Sequence, residues 1–325
     1  MIPLQTASPH PVTHIVFSPD GGAVAVAQPF HGVTLIDRAT GRTLAVCAMP
    51  RRAALTGLTF CGAGRFLAAA HPKGLEVFDA STGAPVMRNF HWPQKFQLAD
   101  RGDAVFGLGS RAFTSLRAVL NVNGSTVSPV TGNAIVYRGS LAPVSCAPDG
   151  SHVLSTDGNR LVLLNVASDR TVAEIELPVN EPTVIPLAKF CPLGRRFALT
   201  DGRTLEVYDP TGLSDDDDDP PGTGDAPVEV APMPHTLLAP VFTLRSDRPG
   251  VERGWYPPFA LLADGRGLLV KRVRNRVQLW DAPTGTLMNE WSWRFEGVTC
   301  VAVSADGLTA VAGGRFGRVL LWDLE

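Results

Sequence analysis

Short apolar runs, each ending in a tight-turn sequence, recur along the whole chain. In the first copy an apolar run ends in a Ser-Pro-Asp-Gly turn, a second run spans Ala23–Ala27, and a third, Val33–Asp37, ends in aspartate. The equivalent turn glycines are Gly21, Gly64, Gly102, Gly150, Gly194, Gly265 and Gly307. Their separations of 43, 38, 48, 44, 71 and 42 residues define seven copies of one unit.

Each unit is predicted to contain four short strands. The third run ends in Asp or Asn in six copies, at Asp37, Asp79, Asn165, Asp209, Asp281 and Asp323. In three of them the sequence Asp-x-x-Thr-Gly follows, in which Asp bonds backbone amides and Gly supplies a positive φ, and a fourth apolar run such as Thr43–Met49 comes next. The third copy is the weakest: its third strand is predicted to end at Asn121, and residues 131–140 are predicted to be a loop.

Four-stranded units of about 40–45 residues are typical of β-propeller blades. The segments Phe17–Gly21, Val144–Gly150, Leu279–Asp281 and Leu321–Asp323 carry a resemblance to the WD-repeat β-propeller family. The resemblance covers essentially the whole chain. It implies an all-β fold, a seven-bladed β-propeller of four-stranded antiparallel blades.

The chain departs from the family in the residues that link its strands. The Trp of the Trp-Asp pair occurs only at Trp280 and Trp322, and His10 is the sole candidate for the family's loop histidine. The buried His–Ser/Thr–Asp–Trp network of the family is therefore expected to be mostly absent. Apolar packing between sheets is expected to hold the blades together.

The chain is predicted to be a single propeller domain, residues 1–325. Its last copy stops after a third strand, and the N-terminal segment Ile2–Thr6 is expected to supply the missing outer strand, which would remove an exposed edge. The long interval holds a predicted acidic loop insertion at about residues 213–226, with a second irregular loop at about 245–258. Either Pro227–Ala231 or Thr236–Leu244 supplies the outer strand of the fifth blade.

The acidic run Asp215–Asp219 invites a calcium interpretation, because carboxylates are good ligands for hard cations. The run lacks the alternating spacing of a calcium loop, and adjacent aspartates repel one another. A solvated insertion is the preferred interpretation.

Charge and composition narrow the function classes. The 29 basic and 31 acidic residues leave a net charge of −2, so we expect neither nucleic acid nor a membrane as partner. The five cysteines form no C-x-x-C pair, which argues against a zinc site and a disulfide framework. The sequence has no signal-peptide pattern and no long apolar window, and a cytoplasmic location is expected.

The sequence contains few candidates for catalytic or metal-binding residues. It contains no nucleophile-elbow, zinc-protease or phosphate-loop motif, and we predict no catalytic residue, metal or cofactor. His31 and His71 are placed in equivalent loops of the first two blades, where they would approach each other near the central channel. Two ligands fall short of the three that a metal needs.

We therefore predict a non-enzymatic scaffold that binds a protein or peptide, as a monomer or a subunit of a larger complex. The alternative is a propeller enzyme, of the lyase, lactonase or quinone-dependent type, with its site at the channel. The loops joining strands two and three, and those joining successive blades, share one face with more basic than acidic residues, so the partner is expected to be acidic. The candidate binding residues on this face are Phe30, Lys73, His91, Trp92, Arg274, Arg276, Arg294, Arg315, Phe316 and Arg318.

Overall fold

The computed structural model shows an all-β protein with 30 strands and no helix in its described residues. It describes the chain apart from residues 1, 7, 51–53, 73, 91–97, 101–103, 110–113, 124–125, 130–134, 140–141, 149–150, 158–159, 166–169, 178–186, 202, 212–235, 246–257, 273–275, 294–296 and 325. Within that part of the chain, no helix is long and apolar enough to cross a membrane.

The strands form seven sheets, here called blades one to seven in chain order. A separate N-terminal strand, β1, spans Ile2–Gln5. The strands of blades one to three are β2 (His14–Phe17), β3 (Ala23–Gln28), β4 (Gly32–Asp37), β5 (Thr43–Cys47); β6 (Gly57–Cys61), β7 (Phe66–His71), β8 (Gly74–Asp79), β9 (Pro85–Phe90); and β10 (Leu98–Asp100), β11 (Ala104–Gly109), β12 (Thr114–Asn123), β13 (Thr126–Pro129), β14 (Ile135–Gly139).

The strands of blade four are β15 (Ala142–Cys146), β16 (His152–Asp157), β17 (Arg160–Asn165), β18 (Arg170–Glu176) and, from further along the chain, β22 (Thr236–Leu237); those of blade five are β19 (Leu187–Phe190), β20 (Phe197–Thr200), β21 (Thr204–Tyr208) and β23 (Phe242–Arg245). Those of blades six and seven are β24 (Phe259–Leu261), β25 (Gly267–Lys271), β26 (Arg276–Asp281), β27 (Thr286–Ser292); and β28 (Val298–Val303), β29 (Thr309–Gly314), β30 (Arg318–Asp323). Within each blade, the strands pair antiparallel in chain order, apart from β14, which pairs antiparallel with β12, and β22, which pairs in parallel with β18.

The first strands of the blades contact one another in order and form a ring. The strand β2 contacts β6 and β28, β6 contacts β10, β15 contacts β19, and β24 contacts both β19 and β28. Blades three and four meet where β11 contacts β15. The ring of first strands surrounds the central channel, and the seven sheets are consistent with the seven predicted blades.

The repeated turns have the chemistry that the sequence predicts. Asp37 Oδ1 accepts hydrogen bonds from the Thr40 amide at 2.7 Å and from the Thr40 hydroxyl at 2.6 Å. These bonds lower the pKa of Asp37. Gly41, which ends the turn, has a φ of 68°, a conformation in which glycine avoids the steric cost of a side chain.

The hydrophobic core lies between blades rather than within them. One buried cluster joins Val33 and Leu35 of blade one to Phe60 and Phe78 of blade two. The other clusters in the described residues likewise combine two neighbouring blades: four with five, five with six, six with seven and seven with one. This arrangement confirms that apolar packing between sheets holds the blades together.

The N-terminal strand closes the ring, as the sequence predicts. The strand β1 pairs antiparallel with β30, with Ile2 opposite Leu321 and Gln5 opposite Arg318. Leu4 is 3% exposed and packs in the cluster shared by blades seven and one. Closure therefore supplies both backbone pairing and buried apolar surface.

Two local expectations need correction. Residues 131–140 are not simply a loop, because β14 pairs with β12 and adds a fifth strand to blade three. Thr236–Leu244 is not one strand: β22 pairs in parallel with β18 of blade four, whereas β23 is the outer strand of blade five. The acidic insertion and the core of the second irregular loop lie outside the described residues.

We predict that deleting residues 2–5 lowers the melting temperature and promotes aggregation, because β30 becomes an exposed edge. A matched pair of substitutions separates the contribution of side-chain packing to stability from that of backbone pairing. Leu4→Ala should lower the free energy of unfolding by about 2–5 kcal/mol, as large-to-small core substitutions do, whereas Ile2→Ala, at a side chain 39% exposed, should have much less effect. Calorimetry and light scattering measure both properties. Unchanged melting of the deletion variant would contradict closure by β1.

Candidate functional site

The predicted binding residues divide into two groups. Phe30, Arg276, Arg315, Phe316 and Arg318 are described and lie in or beside turns between second and third strands, on one face of the ring. The remaining candidates lie outside the described residues: Lys73, His91, Trp92, Arg274 and Arg294. This face, which also carries the connections between successive blades, is called the binding face below.

Phe30 and Phe316 occupy equivalent positions on two neighbouring blades. Each is the middle residue of the three that join the second strand to the third, in blade one and blade seven respectively. Phe30 is 64% exposed and Phe316 is 59% exposed. These two residues are called the aromatic pair.

Both members of the aromatic pair have a left-handed backbone, with φ of 68° at Phe30 and 61° at Phe316. For a residue with a bulky side chain this conformation costs about 1–2 kcal/mol. Glycine would adopt it without that cost, and burial of the Phe side chains does not compensate for it. Strained backbone of this kind concentrates at functional sites, so the observation points to a role outside the fold.

The segment between β1 and β2 joins the two turns into one surface. The Thr6 hydroxyl donates to the Gly317 carbonyl at 2.5 Å, and Gln28 Nε2 donates to the His10 carbonyl at 2.7 Å. The His10 ring lies 5.4 Å from the ring of Phe30. The segment between β1 and β2 thereby fixes the turns of blades one and seven relative to each other.

Arg315 and Arg318 give this surface a positive charge. Both are exposed, and neither forms an ion pair with any described residue. Arg276 differs, because its Nη1 lies 3.2 Å from Glu290 Oε2. The positive charge near the aromatic pair therefore comes from Arg315 and Arg318.

The acids of the opposite face are largely explained by turn chemistry. Asp79 accepts hydrogen bonds from Ser81 and Thr82, and Asp281 accepts them from Thr284, as Asp37 does from Thr40. A difference in charge between the faces is thus weak evidence of function. The aromatic pair is stronger evidence, since turn formation does not require it.

A narrow cleft beside Phe30 is too small for a ligand. It is lined by residues of blades one and two, including Thr13, Met49, Pro50 and Leu55. Its volume of about 10 Å³ is that of a single water molecule. The surface suits contact with a macromolecule better than enclosure of a small substrate.

The two histidines singled out in the sequence have different surroundings. His31 is exposed, and its ring lies 6.2 Å from that of His10. His71 is the last residue of β7, is 1% exposed and lies 3.8 Å from Glu76 Oε1. The expectation of equivalent loops is therefore wrong for His71, which corresponds to Gln28 at the end of β3. No group of three metal-ligating side chains occurs among the residues described.

Three ionisable side chains converge on the central channel. Lys189, His14 and Cys300 lie on β19, β2 and β28, the first strands of blades five, one and seven. Burial lowers the pKa of Lys189, and burial together with the charge of Lys189 lowers the pKa of His14 to about 4. Burial raises the pKa of Cys300 to about 11. The sequence did not single out these residues as a group, because no local motif connects them.

These shifts leave the channel with little catalytic capacity. The thiolate is the nucleophilic form of cysteine, and Cys300 remains a thiol at neutral pH. His14 remains a neutral imidazole, with a pKa too low for an effective general base at that pH.

Comparisons with known proteins address the fold. No protein-family profile matches the chain. The chain is 30% identical over 82 residues to Protein ROOT INITIATION DEFECTIVE 3 of Arabidopsis thaliana, a match that spans 24% of this chain and 19% of that protein. The crystal structure of the Myceliophteria thermophila Cps50 (Swd1) β-propeller domain superimposes with a TM-score of 0.69 at 15% identity, covering 100% of both chains. The chain therefore has a β-propeller fold.

Among the described residues, neither tryptophan of the two Trp-Asp pairs takes part in a His–Ser/Thr–Asp–Trp hydrogen-bond network. The indole of Trp280 donates to Gln278 Oε1 at 3.1 Å. Trp322 is 3% exposed, and its Nε1 has no hydrogen-bond partner among the described residues. Trp322 instead packs edge-on against Trp293, with ring centroids 4.6 Å apart. Aromatic packing thus replaces the polar network in blade seven.

We predict that the double variant Phe30→Gly, Phe316→Gly melts at the same temperature as the wild-type propeller or higher. Relief of left-handed strain, about 1–2 kcal/mol per residue, outweighs the extra unfolded-state entropy of glycine, about 0.5–1 kcal/mol. Ala63→Gly is a matched control, because Ala63 has a φ of 53° and lies on the opposite face. A loss of more than about 2 kcal/mol, measured by denaturant unfolding, would assign the aromatic pair a packing role.

We also predict a stability loss in mild acid that depends on His14. Burial and the charge of Lys189 lower the pKa of His14 from its ordinary value of 6.5 to about 4 in the folded propeller. Between these values the unfolded state binds more protons, so the free energy of unfolding falls as the pH falls from 6.5 to about 4, by on the order of 3 kcal/mol. His14→Gln should flatten this slope in denaturant titrations, whereas His31→Gln, at an exposed site, should retain it. An unchanged slope in His14→Gln would contradict the assignment.

Proposed function

We propose that the propeller is a non-enzymatic interaction module that binds a protein or peptide through its binding face. The aromatic pair carries this proposal: two exposed phenylalanines occupy strained, equivalent turns on neighbouring blades. Exposed aromatic residues next to arginine are typical anchors of protein interfaces. The segment between β1 and β2 also holds this surface in place, so few side chains need to become ordered on binding.

The partner is acidic near its contact with Arg315 and Arg318. Exposed arginines that have no acidic partner among the described residues can pair with carboxylates of a partner. Such contacts are screened by salt, so binding weakens as the ionic strength rises. We place the propeller in the cytoplasm, as a monomer or as one subunit of a larger complex.

The chemistry of the channel supports binding rather than catalysis. An enzymatic propeller needs a reactive group at its site, and Cys300 and His14 both have protonation states that oppose reaction near pH 7. The narrow cleft beside Phe30 accommodates no substrate.

Affinity capture from the native organism, with mass spectrometry, tests the proposal. We expect a reproducible protein partner for the wild-type propeller and at least a tenfold loss of capture for Arg315→Glu, Arg318→Glu. The control Arg42→Glu, Arg65→Glu reverses two exposed charges on the opposite face and should retain capture. Equal capture by both folded variants would exclude Arg315 and Arg318 from the interface.

The aromatic pair is tested in the same assay. Phe30→Gly, Phe316→Gly should lose the partner while remaining folded, and Ala63→Gly should keep it. Retention of the partner by the glycine double variant would overturn the proposed binding face.

A further inference from the structure

Lys189 is a cation inside the channel without a matching anion. Its Nζ donates to the carbonyl of Phe259 at 3.1 Å and lies 4.9 Å from the centre of the Phe259 ring. No carboxylate of the described residues pairs with it. A carbonyl and an aromatic ring stabilise an ammonium only in part, and buried charges in proteins are normally paired.

Phe259 contacts this ammonium, and ionisable groups of two further blades interact with its charge. Phe259 lies on β24 of blade six, while the charge of Lys189 acts on His14 of blade one and on Cys300 of blade seven. Lys189 itself belongs to blade five. Only the ring of first strands brings residues of these four blades near a single atom.

The ionisable residues around Lys189 are only partly buried. Lys189, His14 and Cys300 are each enclosed by protein, yet each retains partial solvent exposure. His14 Nδ1, in addition, has no hydrogen-bond partner within the described part of the propeller. The site thus combines a cation that has spare donors with residual solvent exposure at each of its three ionisable side chains.

We propose that Lys189 forms an anion site in the central channel that takes a carboxylate. An ammonium has three donors, and the Phe259 carbonyl uses one of them, so two remain for the oxygens of the ligand. One positive charge matches a monovalent carboxylate better than a phosphate dianion. The carboxylate comes from a small organic acid or from an acidic side chain of a polypeptide. This site is separate from the aromatic pair and does not depend on the proposed function.

Lysine-selective NMR tests the site directly. The chain has four lysines, Lys73, Lys95, Lys189 and Lys271, so protein labelled with ¹³C only at lysine gives a simple spectrum. Lys189→Arg keeps a positive charge and identifies the Lys189 signal by its loss. Sodium acetate at pH 7 should shift the Cε signal of Lys189 in a saturable manner, and sodium chloride at equal ionic strength should leave it unchanged. An equal response to both salts, or no response to acetate, would overturn the proposal.

Thermal unfolding supplies an independent measurement. Acetate should raise the melting temperature of the wild-type propeller more than chloride does, because a ligand that binds the folded state stabilises it. This difference should vanish in Lys189→Met and persist in Lys271→Met, which removes the charge of another buried lysine. Persistence of the full acetate effect in Lys189→Met would place the anion elsewhere.

A third arm separates the two sources of the carboxylate. A short peptide with blocked ends and a single glutamate, Gly-Glu-Gly, is titrated against the same NMR signal. Saturation at a concentration at least tenfold below that of acetate supports a polypeptide side chain as ligand. Saturation by acetate alone supports a small organic acid.

Discussion

The propeller depends on apolar packing between neighbouring sheets. Each described core cluster takes its side chains from two blades, such as Val33 with Phe78 or Leu4 with Ile36. A single blade therefore has two apolar faces and no core of its own. Stability requires a neighbour on each side, and a ring is the arrangement that gives every blade two neighbours. The pairing of β1 with β30 is the step that makes this ring complete.

Much of the fold follows from local sequence. The Asp-x-x-Thr-Gly turns and the phased glycines locate the strands, because each turn satisfies its own hydrogen bonds within a few residues. The N-terminal strand follows from a missing fourth strand in blade seven. The strand β14 and the parallel pairing of β22 with blade four were not predicted, since both add to blades outside the repeat and have no turn signature.

The candidate sites were harder to predict from the sequence than the fold. Phe30 and Phe316 were recognised as loop aromatics, but their left-handed backbone becomes visible only in the structure. Lys189, His14 and Cys300 are far apart along the chain and meet only because ring closure brings first strands together. The repeat pattern predicts each strand but not which ionisable side chains share the channel. The backbone of the repeat recurs in each blade, whereas the ionisable side chains that face the channel differ from blade to blade.

The pairing of β1 with β30 also constrains the order of events during protein synthesis. The first strand of the chain leaves the ribosome about 300 residues before its partner, Arg318–Asp323. At about 5–20 residues per second, this delay is roughly 15–60 s. During that time the apolar side of β1 and the apolar face of blade one that packs against blade seven lack their final neighbours. The apolar surface that these neighbours bury therefore stays uncovered until β30 emerges.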